Sequence, residues 1–233
     1  MKSQIASGVQ FVRLPRESLE QRVTEMLREL IISGELPEGT PLVQRDLAHR
    51  IGVSQTPVRI GLSELARDGL VEVTGTGRAL VSKLTREDLE EIYAARFGLE
   101  GLAARVGAAA LTDGDITRMQ KLMGELERLA KKRDVDAYLR VRWDFHAICY
   151  EASRRMRLVT EVERLFWRAE RYNRLVLSTA ARFHRSVGFY HAFLEACEAR
   201  DGEAAERVIH ESVRTTVDDL APSLPSESDV AVA

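Results

Sequence analysis

The residues that could most directly carry chemistry lie in the stretch RVRWDFHAICYEAS, residues 140–153. This stretch holds a guanidinium, a carboxylate, an imidazole and a thiol close together, from Arg142, Asp144, His146 and Cys149. Residues i and i+4 share one face of a helix, and two ligands at that spacing can chelate one metal ion. Three interpretations are therefore open: a metal site, a catalytic site, or a packed helix that carries polar residues.

The composition predicts a helical, globular chain. Of 233 residues, 45% are hydrophobic, 30% are charged and only 6% are aromatic. A chain of this length can form two modest domains, each with its own core. The formal net charge of −2 argues against binding nucleic acid through bulk charge, although it leaves room for a local basic surface.

The sequence has no feature of a secreted or membrane protein. No apolar run approaches the length of a membrane span, and MKSQIASGVQ lacks the apolar segment of a signal peptide. Cys149 and Cys197 follow no motif and lie inside helical patterns, which predicts small, reduced core residues. We therefore expect a cytoplasmic protein that does not contact a membrane.

The hydrophobic periodicity divides the chain near residue 84. Before it, short helical patterns precede LVEVTGTGRALVSKL, whose β-branched residues around a Gly-Thr-Gly tip predict a β-hairpin. After it, a capping box of Thr85 and Asp88 opens a helical region that reaches about residue 220. Helices are predicted there at about 113–132, 134–153, 157–182, 186–200 and 203–220, with disordered tails at residues 1–14 and 221–233.

The segment DLAHRIGVSQTPVRIGLSEL has the pattern of a helix-turn-helix. The small residue Ala48 allows two helices to cross closely, and Gly52, four positions on, takes the backbone conformation of the tight turn. Ser54 is a suitable N-cap for the second helix, whose first turn tolerates a proline. The residues exposed near that N-terminus, the end that enters the major groove of DNA, are then Gln55, Thr56 and Arg59.

The hairpin that follows makes DNA binding the favoured interpretation. A helical bundle can contain an Ala-x-x-x-Gly turn without binding DNA, but a Gly-tipped hairpin directly after it predicts a winged helix. Gly75, Gly77 and Arg78 suit a wing on the DNA backbone or minor groove. Residues 15–84 carry nine Arg and Lys against ten Asp and Glu. Affinity must therefore come from placed arginines and from doubled contacts in a dimer.

These motifs resemble a known family. LIISGELPEGTPLVQRDLAHRIGVSQTPVRIGLSELARDGLVEVTGTGRALVS is similar to the winged-helix domain of GntR-family bacterial transcription regulators, above all in TPVR and DGLV. Residues 85–220 resemble the all-helical FCD effector domain of its FadR subfamily. Gln55 stands where such regulators usually have an arginine, and RIGL stands where they usually have REAL. Both departures affect which operator sequence is expected, but not the expectation of DNA binding. The implied DNA contacts are Arg45, Ser54, Gln55, Thr56, Arg59, Gly75, Gly77 and Arg78.

The resemblance also implies a possible metal site in the helical domain. Many FCD domains bind a divalent metal through an aspartate one turn before the histidine of an FH motif and two histidines on the last two helices. Here only His146 matches, and the three other positions hold Arg142, Tyr190 and Ser212. The guanidinium of Arg142 would repel a cation. We expect neither a metal nor another cofactor, because the remaining nearby ligands fall on other helix faces: Asp144, His191 and His210.

No catalytic residue can be named. The sequence contains no Glu-x-x-His pair, no Gly-x-Ser-x-Gly, and no Gly-x-Gly-x-x-Gly between a strand and a helix. GTGRAL lies in the predicted hairpin and is therefore not a phosphate loop. We do not expect an enzyme.

The substituted positions predict a cavity rich in hydrogen-bond donors. Its two buried arginines need a negative partner. An internal acid such as Glu100 or Asp144 could supply it, or a small anionic metabolite, a carboxylate or phosphate ester, could take the place of the acid and metal of the family's site. Arg96 and Asn173 join the set, Arg96 because the resemblance places it near the cavity: Arg96, Arg142, His146, Asn173, Tyr190 and Ser212.

The sequence thus predicts a mainly α protein, with a winged helix-turn-helix at residues 15–84 and an all-α bundle for ligand binding and dimerisation at residues 85–220. We expect a homodimeric bacterial transcription regulator that binds a palindromic double-stranded operator and senses a small anionic effector. Two alternatives stay open at this point. One is a constitutive dimeric repressor whose helical domain only dimerises, and the other is a metal-dependent sensor.

Overall fold

A computed structural model describes residues 18–177 and 180–231 of the chain. It confirms the mainly helical fold class, with one core built from the first three helices and the hairpin and a second core built from the later helices. The helices are α1 Leu19–Ser33, α2 Gln44–Ile51, α3 Gln55–Arg67, α4 Arg86–Ala108, α5 Asp113–Lys132, α6 Val135–Ala152, α7 Met156–Val176, α8 Ala180–Glu198, α9 Gly202–Leu220 and α10 Glu227–Ala231. The strands are β1 Val71–Val73 and β2 Ala79–Val81.

The N-terminal domain has the predicted winged-helix arrangement. Gly52, at φ 78°, ends α2 with its N–H donating to the carbonyl of Ala48, which is buried against α3. The strands β1 and β2 pair antiparallel, with Val71 opposite Val81. Ser54 occupies the N-cap position of α3, but its side chain makes no capping hydrogen bond. The predicted N-cap position is confirmed, and the exposed residue Ser54 fills it without the hydrogen bond of a serine cap.

The helical domain packs around α4. Two glycines of α4 allow neighbouring helices to approach it closely. A Cβ on Gly107 would meet the backbone carbonyl of Cys149 on α6, and a Cβ on Gly101 would meet the imidazole of His210 on α9. Cys149 and Cys197 are free and buried, as predicted. No helix within residues 18–177 and 180–231 is both long enough and apolar enough to cross a membrane.

The start of α4 differs from the predicted capping box. The hydroxyl of Thr85 accepts the N–H of Asp88 at 3.2 Å, as expected of an N-cap. The N–H of Thr85, however, donates to the hydroxyl of Tyr172 on α7 at 3.3 Å. The carboxylate of Asp88 accepts hydrogen bonds from Arg168 at 2.6 Å and from Tyr172 at 2.9 Å. The second half of the predicted box is therefore wrong, because α7 competes for both groups.

Helix α7 also contacts the winged-helix domain. Arg171 donates from its two terminal nitrogens to the hydroxyl of Ser82 at 2.9 Å and to the carbonyl of Ser82 at 2.8 Å. The guanidinium of Arg168 lies where a Cβ on Gly69, just after α3, would be. On the other side of the connection, Glu38 accepts the N–H of Leu84 at 2.8 Å. The segment between the domains is therefore held by side chains from both.

The predicted break at ARFHRS, residues 181–186, is wrong. Helix α7 ends at Val176 and α8 begins at Ala180, so ARFHRS lies inside α8 and the predicted helix at 157–182 is too long. The segment contains no glycine or proline, and alanine and arginine are good helix formers. Polarity alone does not end a helix.

The predicted disordered tail after residue 220 is also wrong up to residue 231. A 3-10 helix at Ala221–Ser223 and α10 follow α9, and Leu224 is buried in the helical core. The carbonyl of Pro225 accepts the N–H of Arg86 at 3.0 Å, so the tail satisfies a free donor at the start of α4. The other predicted tail, residues 1–14, lies outside the described residues.

We expect Gly107→Ala to destabilise the helical domain by about 1–3 kcal/mol, because the added methyl meets the backbone of α6, which cannot move as a side chain could. Gly98→Ala is the matched control in the same helix, since a Cβ there has nothing within 4 Å. It should stabilise the domain by up to about 1 kcal/mol through helix propensity. Urea unfolding followed by circular dichroism measures both, and equal effects would contradict the packing described for Gly107.

Candidate functional site

The first turn of α3 presents the predicted recognition residues to solvent. Gln55, Thr56 and Arg59 are exposed, whereas Pro57 and Val58 are buried. This division follows from the apolar face of α3, which packs into the core of the N-terminal domain. Glutamine and arginine at these positions can form bidentate hydrogen bonds with base edges.

The remaining predicted DNA-contact residues are also exposed. Arg45 on α2 has 81% of its side chain accessible, with only Asp46 beside it at 3.5 Å. The tip of the hairpin is closed by a bond from the N–H of Gly77, at φ 79°, to the carbonyl of Thr74. Such a tip leaves the side chain of Arg78 free to extend toward a phosphate. The exposed set thus includes Arg45, Ser54, Gly75, Gly77 and Arg78.

A cavity lies inside the helical domain, between α4, α6, α7, α8 and α9. Its volume is about 60 Å³, several times the space that one buried water needs. The structure places all six predicted effector residues on its wall: Arg96, Arg142, His146, Asn173, Tyr190 and Ser212. The sequence analysis missed further polar residues of the wall, and the helical periodicity of α8 and α9 could have indicated them: Arg185, Ser186, Thr215, Thr216 and Asp219.

One cavity arginine belongs to a complete hydrogen-bond network. Arg96 donates through Nε to Glu100, one turn along α4, at 2.8 Å. The second carboxylate oxygen of Glu100 accepts the hydroxyl of Tyr150 at 2.8 Å. That hydroxyl lies 3.3 Å from Nδ1 of His146. Burial lowers the pKa of His146 to about 3, although the Glu100 carboxylate opposes it, so His146 is a neutral group at physiological pH.

The second cavity arginine has a looser partner. Nη2 of Arg142 lies 3.1 Å from Oε1 of Glu170 on α7, and both side chains are buried. This is ion-pair distance, but the alignment is not that of a hydrogen bond. Among the described residues, neither oxygen of Glu170 nor Nε of Arg142 has a hydrogen-bond partner. Burial raises the pKa of Glu170 to about 7, against the opposing effect of Arg142, Arg96 and Arg174.

These contacts decide which internal acids accompany the buried arginines. Glu100 pairs with Arg96, as one of the two predicted alternatives had it. Asp144 does not pair with either cavity arginine, since it lies in a different groove beside Lys121 and Trp143. Glu170 was missed, although its position gave a signal. It lies four residues after Phe166 and three before Asn173, on the buried face of α7.

The residues of the cavity do not fit a divalent metal. Of the four family positions, only His146 carries a metal-ligating side chain. His191 lies at the surface, 2.8 Å from Glu127, and His210 stacks on Phe97 of α4. Within residues 18–177 and 180–231, no group of three His, Cys, Asp or Glu residues is close enough to hold a metal.

Comparison with known proteins identifies the family. Residues 19–81 match the bacterial regulatory proteins of the gntR family, and residues 91–215 match the FCD domain. The chain belongs to the GntR family and carries an FCD domain. It is a DNA-binding transcriptional regulator, as the resemblance implied.

Relatives of this GntR-family regulator are similar over nearly their whole length. The HTH-type transcriptional regulator McbR of Escherichia coli K12 is 25% identical over 207 residues, which cover 88% of this chain and 94% of McbR. The gluconate operon transcriptional repressor of Bacillus licheniformis is 26% identical, covering 89% of this chain and 88% of the repressor. The solved structure of E. coli McbR/YncC superimposes with a TM-score of 0.78, over 89% of this chain and 99% of that one.

The raised pKa of Glu170 predicts a pH-dependent stability. The native state keeps a proton on Glu170 up to pH near 7, whereas the unfolded chain loses it near pH 4.5. This contribution is complete below pH 4.5 and is lost as the pH rises through 7. Relative to Glu170→Gln, the wild-type free energy of unfolding should therefore fall by about 3 kcal/mol between pH 4 and pH 8. Parallel pH profiles in urea unfolding would contradict the burial of an ionisable Glu170.

Proposed function

We propose that this regulator binds a palindromic operator as a homodimer and that its helical domain senses a small anionic effector. The observation that carries the effector proposal is the donor-rich cavity, in which Arg142 keeps an unbonded Nε beside the neutral imidazole of His146. An arginine with free donors in an enclosed space is suited to capture a carboxylate or phosphate group. We propose that it does so without a metal and that the protein acts in the cytoplasm.

The charge of the DNA-binding domain supports the dimer. Residues 15–84 hold one more acid than base, so that domain has no bulk attraction to DNA. The exposed arginines that face DNA in this family's arrangement are few, namely Arg45, Arg59 and Arg78. Two copies on a symmetric operator double these contacts and their base-specific hydrogen bonds.

The name of one relative supports the effector class. The Bacillus licheniformis protein is the repressor of a gluconate operon, and gluconate is a small hydroxylated carboxylate. The cavity of this chain offers donors for both kinds of group: guanidinium for a carboxylate, and the hydroxyls of Ser212 and Thr215 for an alcohol. The support extends to the chemical class and not to gluconate itself.

A constitutive repressor is the second candidate, because Glu100 and Glu170 already lie beside the two cavity arginines. In that case the helical domain would only hold the dimer together. An effector that changes operator affinity separates the two candidates.

The DNA interface is tested at Arg59. Arg59→Ala should weaken binding to a duplex selected from a random library by about 1–3 kcal/mol, because the arginine can make a bidentate base contact. Arg67→Ala is the control, since Arg67 is exposed on the last turn of the same helix, away from the N-terminus that enters the groove. A gel-shift titration at fixed salt measures both. Equal losses would remove Arg59 from the recognition surface.

The effector site is tested at Arg142. A thermal-shift screen of organic acids and sugar phosphates should find an anion that raises the melting temperature, since ligands stabilise the state they bind. The same anion should change operator affinity. Arg142→Ala should reduce anion affinity roughly thirtyfold, as expected for loss of a buried charged hydrogen bond worth about 2 kcal/mol. The control is Arg128→Ala, which removes an exposed arginine of α5 that lies outside the cavity wall. Anion binding without any change in operator affinity would favour the constitutive repressor.

A further inference from the structure

The two buried ion pairs of the helical domain are built differently. Arg96 and Glu100 share a 2.8 Å hydrogen bond, and the other oxygen of Glu100 is bonded to Tyr150. Arg142 and Glu170 touch at 3.1 Å without hydrogen-bond alignment. Within the described part of the chain, both oxygens of Glu170 and Nε of Arg142 lack a hydrogen-bond partner. An aligned arginine–carboxylate pair would use two parallel N–H donors, so this pair leaves bonding capacity unused.

The two members of the loose pair face different spaces. Arg142 lies on the wall of the cavity between α4, α6, α7, α8 and α9. Glu170 does not line that cavity, and it lies instead beside the groove between α1 and α7, close to Arg174. A ligand in the cavity therefore reaches the guanidinium of Arg142 from the side away from Glu170.

We propose that the effector anion replaces Glu170 as the counter-ion of Arg142, and that Glu170 takes up one proton from solvent when the anion binds. This inference rests on the anion site proposed above and adds its regulation by pH. Without the proton, two negative groups would share one guanidinium in a space shielded from water. With it, the two arginines face Glu100 and the anion, and the buried charge is balanced.

The neighbours of Glu170 identify it as the group that takes the proton. Glu100 stays ionised: burial opposes its charge, but the Arg96 guanidinium and the hydrogen bonds from Arg96 and Tyr150 hold its pKa below the usual value. The pKa of His146 lies at about 3, so it remains neutral, and burial raises the pKa of Tyr190 to about 12. Only Glu170, whose pKa is about 7, changes its charge near neutral pH among these groups.

The other charged or titratable groups around Glu170 come from five helices, from the turn after α1 and from the turn before α6. Those that face it from α4, α6, α7 and α8 are Tyr93, Arg96, Glu100, Arg142, Arg174 and Tyr190. Those that line its groove from α1, from the turn after it, from the turn before α6 and from α6 are Glu25, Arg28, Glu29, Glu35, Asp134, Asp136 and Arg140. Arg174 is paired with Asp136 across that groove. Of all these groups, Arg142, Arg96 and Arg174 lower the pKa of Glu170, and Glu100 raises it.

Acetate and sulfate are suitable probes, because neither changes charge between pH 6 and pH 9. The chain's two tryptophans, Trp143 and Trp167, report binding by fluorescence, since the Trp143 ring lies 4.9 Å from Phe166, over which Arg142 is stacked at 4.3 Å. The dissociation constant of either anion should rise about tenfold from pH 6 to pH 8, as the cost of protonating Glu170 grows. Calorimetry in two buffers of different ionisation enthalpy should show close to one proton taken up per anion at pH 8.

The variant Glu170→Gln tests whether Glu170 is the group that takes up the proton. In this variant the dissociation constant should be the same at pH 6 and pH 8 within twofold, about tenfold lower than wild type at pH 8, and proton uptake should vanish. Glu161→Gln, an exposed acid on the same helix, is the matched control and should retain the wild-type pH dependence. Circular dichroism confirms that each variant is folded. If Glu170→Gln does not fold, the proton uptake of the wild type decides alone.

The outcomes separate the two proposals. Anion binding that Arg142→Ala weakens as predicted, but with no proton uptake or with a pH dependence that survives Glu170→Gln, overturns the exchange and leaves the anion site standing. Failure of both probes and of the wider acid screen to bind either wild type or Glu170→Gln overturns the anion site and the exchange together. A tighter Glu170→Gln complex with an unchanged pH slope shows only a general charge effect and counts against the exchange.

Discussion

The burial of two guanidinium groups constrains the arrangement of the helical domain. Removing a charge from water costs several kcal/mol unless an opposite charge and hydrogen bonds replace the solvent. Arg96 finds its acid one turn away on its own helix. Arg142 cannot, and its acid comes from α7, so α6 and α7 must lie side by side at that level. Both guanidiniums also lie over the ring of Phe166, at 5.7 Å and 4.3 Å, which ties α4, α6 and α7 to one aromatic side chain.

Helix α7 carries Phe166 and Glu170, and it contacts both the core of the helical domain and the winged-helix domain. Its buried face carries Glu170 and Asn173 beside the cavity, where Tyr93 donates to Asn173 at 3.1 Å. Its other face carries Arg168 and Arg171 toward the winged-helix domain. Adjacent residues of α7 therefore contact both the side chains of the cavity and Ser82, at the end of the hairpin.

The features that the sequence predicted are those set by local spacing. The turn at Gly52, the hairpin tip and the helix at Asp113–Lys132 depend on residues within a few positions of each other, and all three were predicted. The six cavity residues were found because the family resemblance supplied the long-range register that periodicity lacks. Glu170, Asp88 and the segment after residue 220 were missed or misassigned, since their partners lie more than 25 positions away in sequence. An acid on an apolar helix face shows that a partner must exist, but not which residue it is.

The contacts around residue 84 limit how freely this regulator could exchange its parts with others. In a chimera of two such regulators, the DNA-binding domain of one protein is joined to the effector domain of another. Here the junction makes specific contacts with both domains. Gly69 leaves room for the guanidinium of Arg168. Ser82 accepts hydrogen bonds from both terminal nitrogens of Arg171, and Glu38 accepts the N–H of Leu84. A foreign winged helix with a larger residue at position 69 would displace the Arg168 guanidinium. An exchange of DNA-binding domains at this junction therefore depends on three positions of that domain, Glu38, Gly69 and Ser82, which contact the helical domain or the connection to it.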